Sequence, residues 1–588
     1  MNDQIKIQLV KLTEGGRLLR FSEKVSGLCL EKRLGAQRPV VLQKVRLLRE
    51  FQDLLALFRL LASAILLLPC LTTFGQDFQW AIGTQGFARG VAADGDGSIF
   101  LVGQVNGSNT PLAGLTLTNT GFSMFIAKLN REGNAVWAKP QLATVAYGHA
   151  IAVDFQGNTF VVGEFSGSAT FGSTTLQTTN GGYGDAFIAK FDSLGNPLWA
   201  RSAGGTLTDI AYAVAVDGSG NCFVVGEFYS TNIVIGGTTL TNASVSPATR
   251  TDCFVAKYSS AGDLMWAKPF GGEEDERLDG VSALLTGEVF VAGRFASSNI
   301  TVGSISLTNS RVPSSQPSAD VLVAKLDTNG EVIWAASAGG SGSDVAFSVA
   351  ADTNGFSYVS GFFSLTSTFG TNVISTNVHD VLFLAKYDPF GNCVWVRNGG
   401  VFGGEPRVAV DLAGDPFVAA YFSGAFAHGS TTLTNSGGAG FDVLVAKYLA
   451  DGTPAWALKA GGHEDHRVRS LAVDKLGNTI LAGYYSGTNM AFGTTILTNF
   501  QPTSVANPLD ALFVAKIAPP ISVSGEFVGS DFRLGIFGTA GRSFRVLSST
   551  NLNVWTEIGT FPGQAFREEY TDINAATGFR RFFRVRVP

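Results

Sequence analysis

Two short runs concentrate the groups that could hold a metal ion or move a proton. Glu273-Glu274-Asp275-Glu276 presents four consecutive carboxylates, oxygen ligands of the kind Ca²⁺ takes. His463-Glu464-Asp465-His466 sets two imidazoles three residues apart, a pairing suited to a transition metal. Neither spacing is specific to one ion, and both runs follow a Gly-Gly corner, where solvated acidic side chains are the ordinary reading. No cofactor is therefore expected, and Ca²⁺ is the ion the first run would suit. Asp94-Gly95-Asp96-Gly97 reads like a fragment of a calcium loop but falls where the chain must turn, and is assigned to that turn. A third set comes from position alone. One residue follows a recurrent strand Gly, replaced by Ala420 in one repeat: Gln104, Glu164, Glu227, Arg294, Phe362, Tyr421 and Tyr484. These are the candidates for a ligand-facing ring.

Signatures of the common catalytic machines are missing. The chain holds no Gly-x-Ser-x-Gly elbow, no His-Glu-x-x-His and no Gly-Lys-Ser/Thr phosphate loop. With 5 His in 588 residues, imidazole proton transfer has few candidates. Acidic pairs are frequent, so a carboxylate mechanism acting on carbohydrate stays open as the alternative to a chain that only binds.

The elements that would position these groups repeat along the chain. Trp80, Trp137, Trp199, Trp266, Trp334, Trp395 and Trp456 recur about every sixty residues, each answered by Lys128, Lys190, Lys257, Lys325, Lys386, Lys447 or Lys516. Within a repeat, Tyr212–Asp217 alternates small and branched residues, Gly218-Ser219-Gly220-Asn221 turns, and Phe223–Phe228 returns. A second hairpin runs from Asp252–Lys257 through Gly262-Asp263 to Trp266, with a shorter segment, Gly237–Leu240, between the hairpins. One repeat departs: Leu284–Glu288 keeps the turn Gly but lacks the Asp. A repeat of this length suits a four-stranded sheet, and a ring of such sheets is a β-propeller. The expectation is an all-β, seven-bladed propeller over residues 76–518. Its Ala-rich strands should lie innermost and its Trp strands outermost, and the strand around Trp80 should complete the last blade. The long connections 229–251, 299–319 and 486–509 would form the binding face.

Gly204-Gly205 to Asp209, Asp217 to Gly226 and Asp252 to Lys257 carry a pattern that strongly resembles the SBBP repeats, a family named for its seven-bladed β-propellers. Gly339-Gly340 to Asp344 and Gly461-Gly462 to Asp474 repeat it. The resemblance covers residues 76 to about 518. It implies a secreted or surface protein of bacterial type and no defined catalytic site.

Charge and the flanking segments bound the setting. The formal net charge is −5. The first 75 residues are rich in Lys and Arg, so the remainder is acidic, which disfavours a nucleic-acid partner. Arg46, Arg49 and Arg59 precede the apolar run Leu60–Leu68, Pro69 and a small-residue stretch ending at Gly75, the layout of a secretory signal. That run is short for a membrane span, so the mature chain is expected to have no stable one. The stretch before Arg46 is either an over-long start or the cytoplasmic tail of a signal anchor. Residues 1–75 thus form a basic extension and signal. Residues 519–588, opened by Pro519-Pro520, read as a small β-domain of sandwich type, with Ser548–Leu552 and Trp555 in its core. Cys222 and Cys253 begin neighbouring antiparallel strands and so should lie too far apart for a disulfide. The functional expectation is a non-catalytic, monomeric binding or scaffold propeller, secreted or on the cell surface, with protein or glycan partners.

Overall fold

The computed structural model describes residues 77–519 except for 107–108, 119–121, 180–182, 245–248, 311–317, 439 and 500–509. It also describes strand pieces at 7–8, 72–73, 522–528, 531–537, 544–549, 556–561, 567–572 and 582–586. The signal-like run at 60–68 and the core stretch 550–555 lie outside the described residues. The chain divides into two compact units, Gln76–Pro519 and Met1–Gly75 with Pro520–Pro588. In the second unit, Ile7–Gln8 and Thr72–Thr73 each join a different four-stranded sheet otherwise built after Pro520. The two ends of the chain, expected as separate segments, therefore share strands.

The larger unit is an all-β propeller. One meander shows the plan: Asp209–Val216, Cys222–Phe228, Asp252–Tyr258 and Leu264–Phe270 lie in that order in one antiparallel sheet. The Ala-rich strand is innermost and the Trp strand outermost. Its first turn works because the Asp217 carboxylate accepts the Ser219 and Asn221 amides, both at 2.9 Å, while Gly220 takes φ +76°. In the departing repeat the backbone turn survives without the Asp. Glu288 supplies the missing carboxylate to Lys325 at 2.9 Å, as Asp217 does for Lys257 at 3.7 Å.

The ring was expected to hold seven separate sheets. Among the described residues it contains six hydrogen-bonded sheets of four or more strands. One of them is composite: Cys393–Phe402 also pairs with Pro416–Ser423 through Val401↔Ser423 and Phe402↔Phe422, which fuses two meanders into eight strands. Another draws on both ends of the unit: Phe78–Gln85 pairs with Ala511–Ile517 from Phe78↔Ile517 to Gln85↔Ala511. This removes an open sheet edge. At the axis the same closure is repeated, since the Val91 amide donates to Ser470 Oγ at 3.0 Å.

The recurrent Trp and Lys do more than fill the rim. Trp199 Nε1 and Lys190 Nζ both donate to the Ser260 carbonyl, in the outer turn of the following meander, at 3.1 Å each. Trp266 and Lys257 share Thr328, Trp395 and Lys386 share Ala450, and Trp80 and Lys516 share Arg131. The Ser260, Thr328 and Arg131 turns each present a Gly to the indole face, and a Cβ on Gly262 would stand 2.7 Å from the Trp199 ring; in the Ala450 turn Gly452 faces the Arg397 guanidinium instead. The Phe that opens the second strand lies under the Lys ammonium, Phe223 with Lys257 at 4.8 Å and Phe160 with Lys190 at 4.7 Å. Between neighbouring sheets, Phe223, Val225 and Val255 of one pack with Leu278, Val291 and Phe295 of the next.

The segment expected as one short strand between hairpins is itself a hairpin. Asn232–Ile235 pairs with Thr238–Thr241 and then with the outer strand of the preceding meander, through Ala203↔Ile235. Edge backbone groups of one Trp strand thus find partners in the next repeat. Cys222 pairs with Tyr258 and Cys253 with Glu227, at opposite ends of two adjacent strands, and both thiols are free.

The Gly-Gly corners close over buried acids. Asp185, Asp252 and Asp320 begin third strands, and a Cβ on Gly204, Gly271 or Gly339 would collide with their carboxylates. The next meander brings a second acid to each seam. The Asp209, Glu276 and Asp344 amides donate to the carbonyls just before those aspartates, at 2.9, 2.8 and 2.7 Å. Ser230 Oγ donates to Asp209 at 2.9 Å, and the Ser297 amide donates to Glu276 at 3.0 Å. Burial, helped by the second acid across the seam, raises Asp209 and Asp252 to about 7 and Asp344 to about 8. A fourth seam sets His466 opposite Asp442 instead.

Candidate axial binding site

Six inner strands carry a register shift at the same place, five residues before the turn, and the residue left out of the ladder there turns toward the axis. The shifts fall between Ala88 and Gly90, Gly148 and Ala150, Ala211 and Ala213, Leu278 and Gly280, Ala346 and Ser348, and Val468 and Ser470. They single out Arg89, His149, Tyr212, Asp279, Phe347 and Arg469, each five residues before the first residue of the hairpin turn. In one inner strand Pro406, which lacks an amide to donate, takes this place and its neighbours Glu405 and Arg407 face inward instead. The bulge explains the recurrent Gly of the second strand. A Cβ on Gly163, Gly226, Gly293 or Gly483 would collide with the carbonyl of Tyr147, Ile210, Arg277 or Arg467.

These side chains surround an axial cavity of about 440 Å³, large enough for a small ligand. The ring picked from the sequence does not line it. Gln104, Glu164, Glu227, Arg294, Phe362, Tyr421 and Tyr484 stand one strand back, and most of them hold the lining residue fifteen positions earlier. Arg89 Nε donates to Gln104 Oε1 at 2.8 Å, Tyr212 OH to Glu227 Oε1 at 2.7 Å, and Arg469 Nη2 to Tyr484 OH at 3.3 Å. His149 Nε2 lies 3.6 Å from Glu164 Oε1, and the Phe347 and Phe362 rings are 5.5 Å apart. Arg294 lends positive charge to Asp279, and Tyr421 packs on Phe441 at 5.3 Å.

The cavity is charged on both sides. Arg277 Nε donates to Asp279 Oδ1 at 2.7 Å while its guanidinium lies 3.8 Å over the Tyr212 ring. Glu405 Oε2 receives Arg407 Nη2 at 2.8 Å and Arg469 Nη1 at 3.0 Å. Burial alone would raise the Glu405 carboxyl; Arg407, Arg469 and Arg277 overcome it and hold the group down to about 2. Arg407 is saturated, since Nε and Nη1 also donate to the Arg469 and Phe347 carbonyls at 2.9 and 3.1 Å. Burial raises Asp279 and Glu227, in each case opposed by Arg277. Burial lowers His149 against the opposing pull of Glu164, which favours the neutral imidazole.

The two polar corners are occupied differently. Glu274 Oε2 and Asp275 Oδ2 both engage Arg250, at 2.9 and 3.0 Å, while Glu276 turns inward to Ser297. His466 is buried with Nδ1 3.0 Å from the Phe441 carbonyl, and Asp465 pairs with Arg467. Glu464 packs against Gly487, where a Cβ would meet its side chain. Among the described residues no three His, Cys, Asp or Glu side chains converge as a metal site. The tips of the long connections, 245–248, 311–317 and 500–509, lie outside the described residues.

The strand order and the axial cavity define this chain as an all-β propeller. No family model matches it. It is 31% identical over 194 residues, 29% of its length, to an uncharacterized WD repeat-containing protein of Acanthamoeba polyphaga mimivirus. It is 26% identical over 166 residues, 28% of its length, to the regulatory protein FlaEY of Caulobacter vibrioides. The matches cover only 13% and 17% of those relatives. Among solved structures, Sqt1 from Chaetomium thermophilum is similar at 10% identity and a TM-score of 0.30, over 70% of this chain and 97% of that one. A phage phi92 endosialidase gives 9% and 0.32, over 76% and 68%. At such scores these likenesses carry no argument.

Proposed function

We propose that the chain is a non-catalytic binding or scaffold propeller that receives protein or glycan at its axial cavity, outside the cell. The engagement of the axial carboxylates supports this most. Glu405 is held by two guanidinium groups and Asp279 by Arg277, while one strand back Glu227 is held by the Tyr212 hydroxyl. A carboxylate pair for glycoside cleavage needs one group free to give a proton and one free to attack or to activate water. We also propose seven blades, with the eight-stranded sheet counted as two. The grip of Trp395 and Lys386 on Ala450, across the fused sheet, has the same form as the grips between separate sheets. The resemblance to SBBP repeats and the signal-like run before Gly75 support an exported protein.

The test incubates the purified chain with a panel of polysaccharides and peptides and measures retention and product release together. Retention without cleavage is expected. Product release that disappears in Glu227→Gln or Glu164→Gln would instead establish the second reading, a carboxylate-dependent carbohydrate enzyme.

A further inference from the structure

The axial arginines differ in what remains free on them. Arg407 spends Nε, Nη1 and Nη2 on protein acceptors, and Arg469 spends Nη1 on Glu405 and Nη2 on Tyr484. Arg89 makes one hydrogen bond among the described residues, from Nε to Gln104, and no ion pair. Both of its terminal nitrogens are left as an unmatched fork at the cavity wall. A second observation points to the same place. Gln104 is wholly buried, its Oε1 turns Arg89, and its Nε2 has no acceptor among the described residues. His149 Nε2, on the adjacent inner strand, has only Glu164 Oε1 near it, at 3.6 Å and beyond hydrogen-bond reach. Under-matched polar groups are thus gathered on and just behind one arc of the cavity, where each buried unpaired group is costly.

We infer that Arg89 is the anchor for a carboxylate carried by a ligand entering the axial cavity, and that the ligand is an acidic sugar of the uronate type. The inference rests on the binding reading above and names its ligand class. A planar guanidinium fork with two free nitrogens matches a planar carboxylate through paired hydrogen bonds. One negative charge fits better than two, because Glu405 and Glu164 already lend negative charge to the surroundings of Arg89. The remaining wall suits a sugar: Phe347 offers a ring for an apolar sugar face, and His149 offers a neutral imidazole for a hydroxyl. Gln104 is a positioning residue that aims the fork.

The experiment titrates the full chain by calorimetry with four probes: a glucuronate-terminated disaccharide, its neutral glucose counterpart, a short polyglutamate peptide and inorganic phosphate. The glucuronate disaccharide should bind, its affinity falling with added salt, and the neutral counterpart should bind at least about tenfold more weakly. Arg89→Gln should remove that preference, Arg89→Lys should restore part of it, and Gln104→Leu should weaken it while thermal melting confirms each variant is folded. Equal binding by Arg89→Gln and the parent overturns the inference and leaves the binding reading intact. Preference for polyglutamate or phosphate over the disaccharide also overturns it, as does failure of the disaccharide to bind. Cleavage of the disaccharide would instead refute the non-catalytic reading, whatever Arg89 contributes.

Discussion

The seams between sheets make a pH prediction opposite to that of most acidic proteins. Asp209 is wholly buried beside Asp185, whose own carboxyl burial also raises. Asp185 already accepts the Thr179 amide and hydroxyl, at 2.8 and 2.9 Å, through Oδ2, and its Oδ1 has no partner. Asp320 Oδ1 with Asp344 Oδ2, and Asp252 Oδ1 with Glu276 Oε2, go further and leave an unpartnered oxygen on each acid, whereas both Asp209 oxygens accept from Ser230. Two buried carboxyls in one seam are most stable holding one proton between them. A group whose folded pKa is raised contributes stability below its unfolded value, and loses it as pH climbs through the folded value. With the unfolded value near 4 and folded values of about 7 to 8, the window lies between pH 4 and 8. Three units at about 1.4 kcal/mol each set a ceiling of about 4 kcal/mol for the Asp209 seam. Surface repulsion also changes with pH, so the decisive quantity is a difference between variants. Asp209→Asn mimics the protonated acid: urea unfolding should place it near the parent at pH 5 and above the parent by about 1–4 kcal/mol at pH 9. An Asn variant equally destabilised at both values, or a parent that gains stability from pH 5 to pH 9 relative to it, would refute the shared proton.

Two further outcomes test the closure and the rim. Deleting residues 76–86 strips the partner strand from Ala511–Ile517 and exposes a sheet edge, so the melting temperature of the whole propeller should fall; a deletion variant that melts with the parent contradicts the closure. Trp199→Phe keeps most of the ring but removes the Nε1 donor to Ser260, and should cost about 1 kcal/mol in chemical denaturation, with Lys190 still bonded to that carbonyl.

Strand order and turns were readable because their cues are local. Asp217, Gly220 and Trp266 each act within one hairpin or at its edge, and sequence period registers such constraints. The closing strand was readable from phase alone, since Trp80 stands ahead of a complete repeat and Lys516 behind one. The axial site was not. Arg89, His149, Tyr212, Asp279, Phe347 and Arg469 differ in type, and what unites them is a bulge on the inner strand. The available signal was a bulky or polar residue five before the turn, in an otherwise small-residue strand. Gln104 and its equivalents were read as a ligand-facing ring, yet hydrogen bonds such as Tyr212 to Glu227 place several of them behind the lining as its supports. The polar corners were read as solvated acids that could also suit a metal, and sequence cannot show Arg250 arriving from a neighbouring connection to pair with Glu274 and Asp275.

The ribbon that completes the circle also sets an order of events during synthesis. Phe78–Gln85 leaves the ribosome first, and its partner Ala511–Ile517 follows about four hundred residues later. At bacterial or eukaryotic translation speeds of about 5–20 residues per second, that strand waits tens of seconds with its bonding edge bare. A nascent chain of this design needs a holdase or a slow, sequestered exit far more than it needs help folding any single meander.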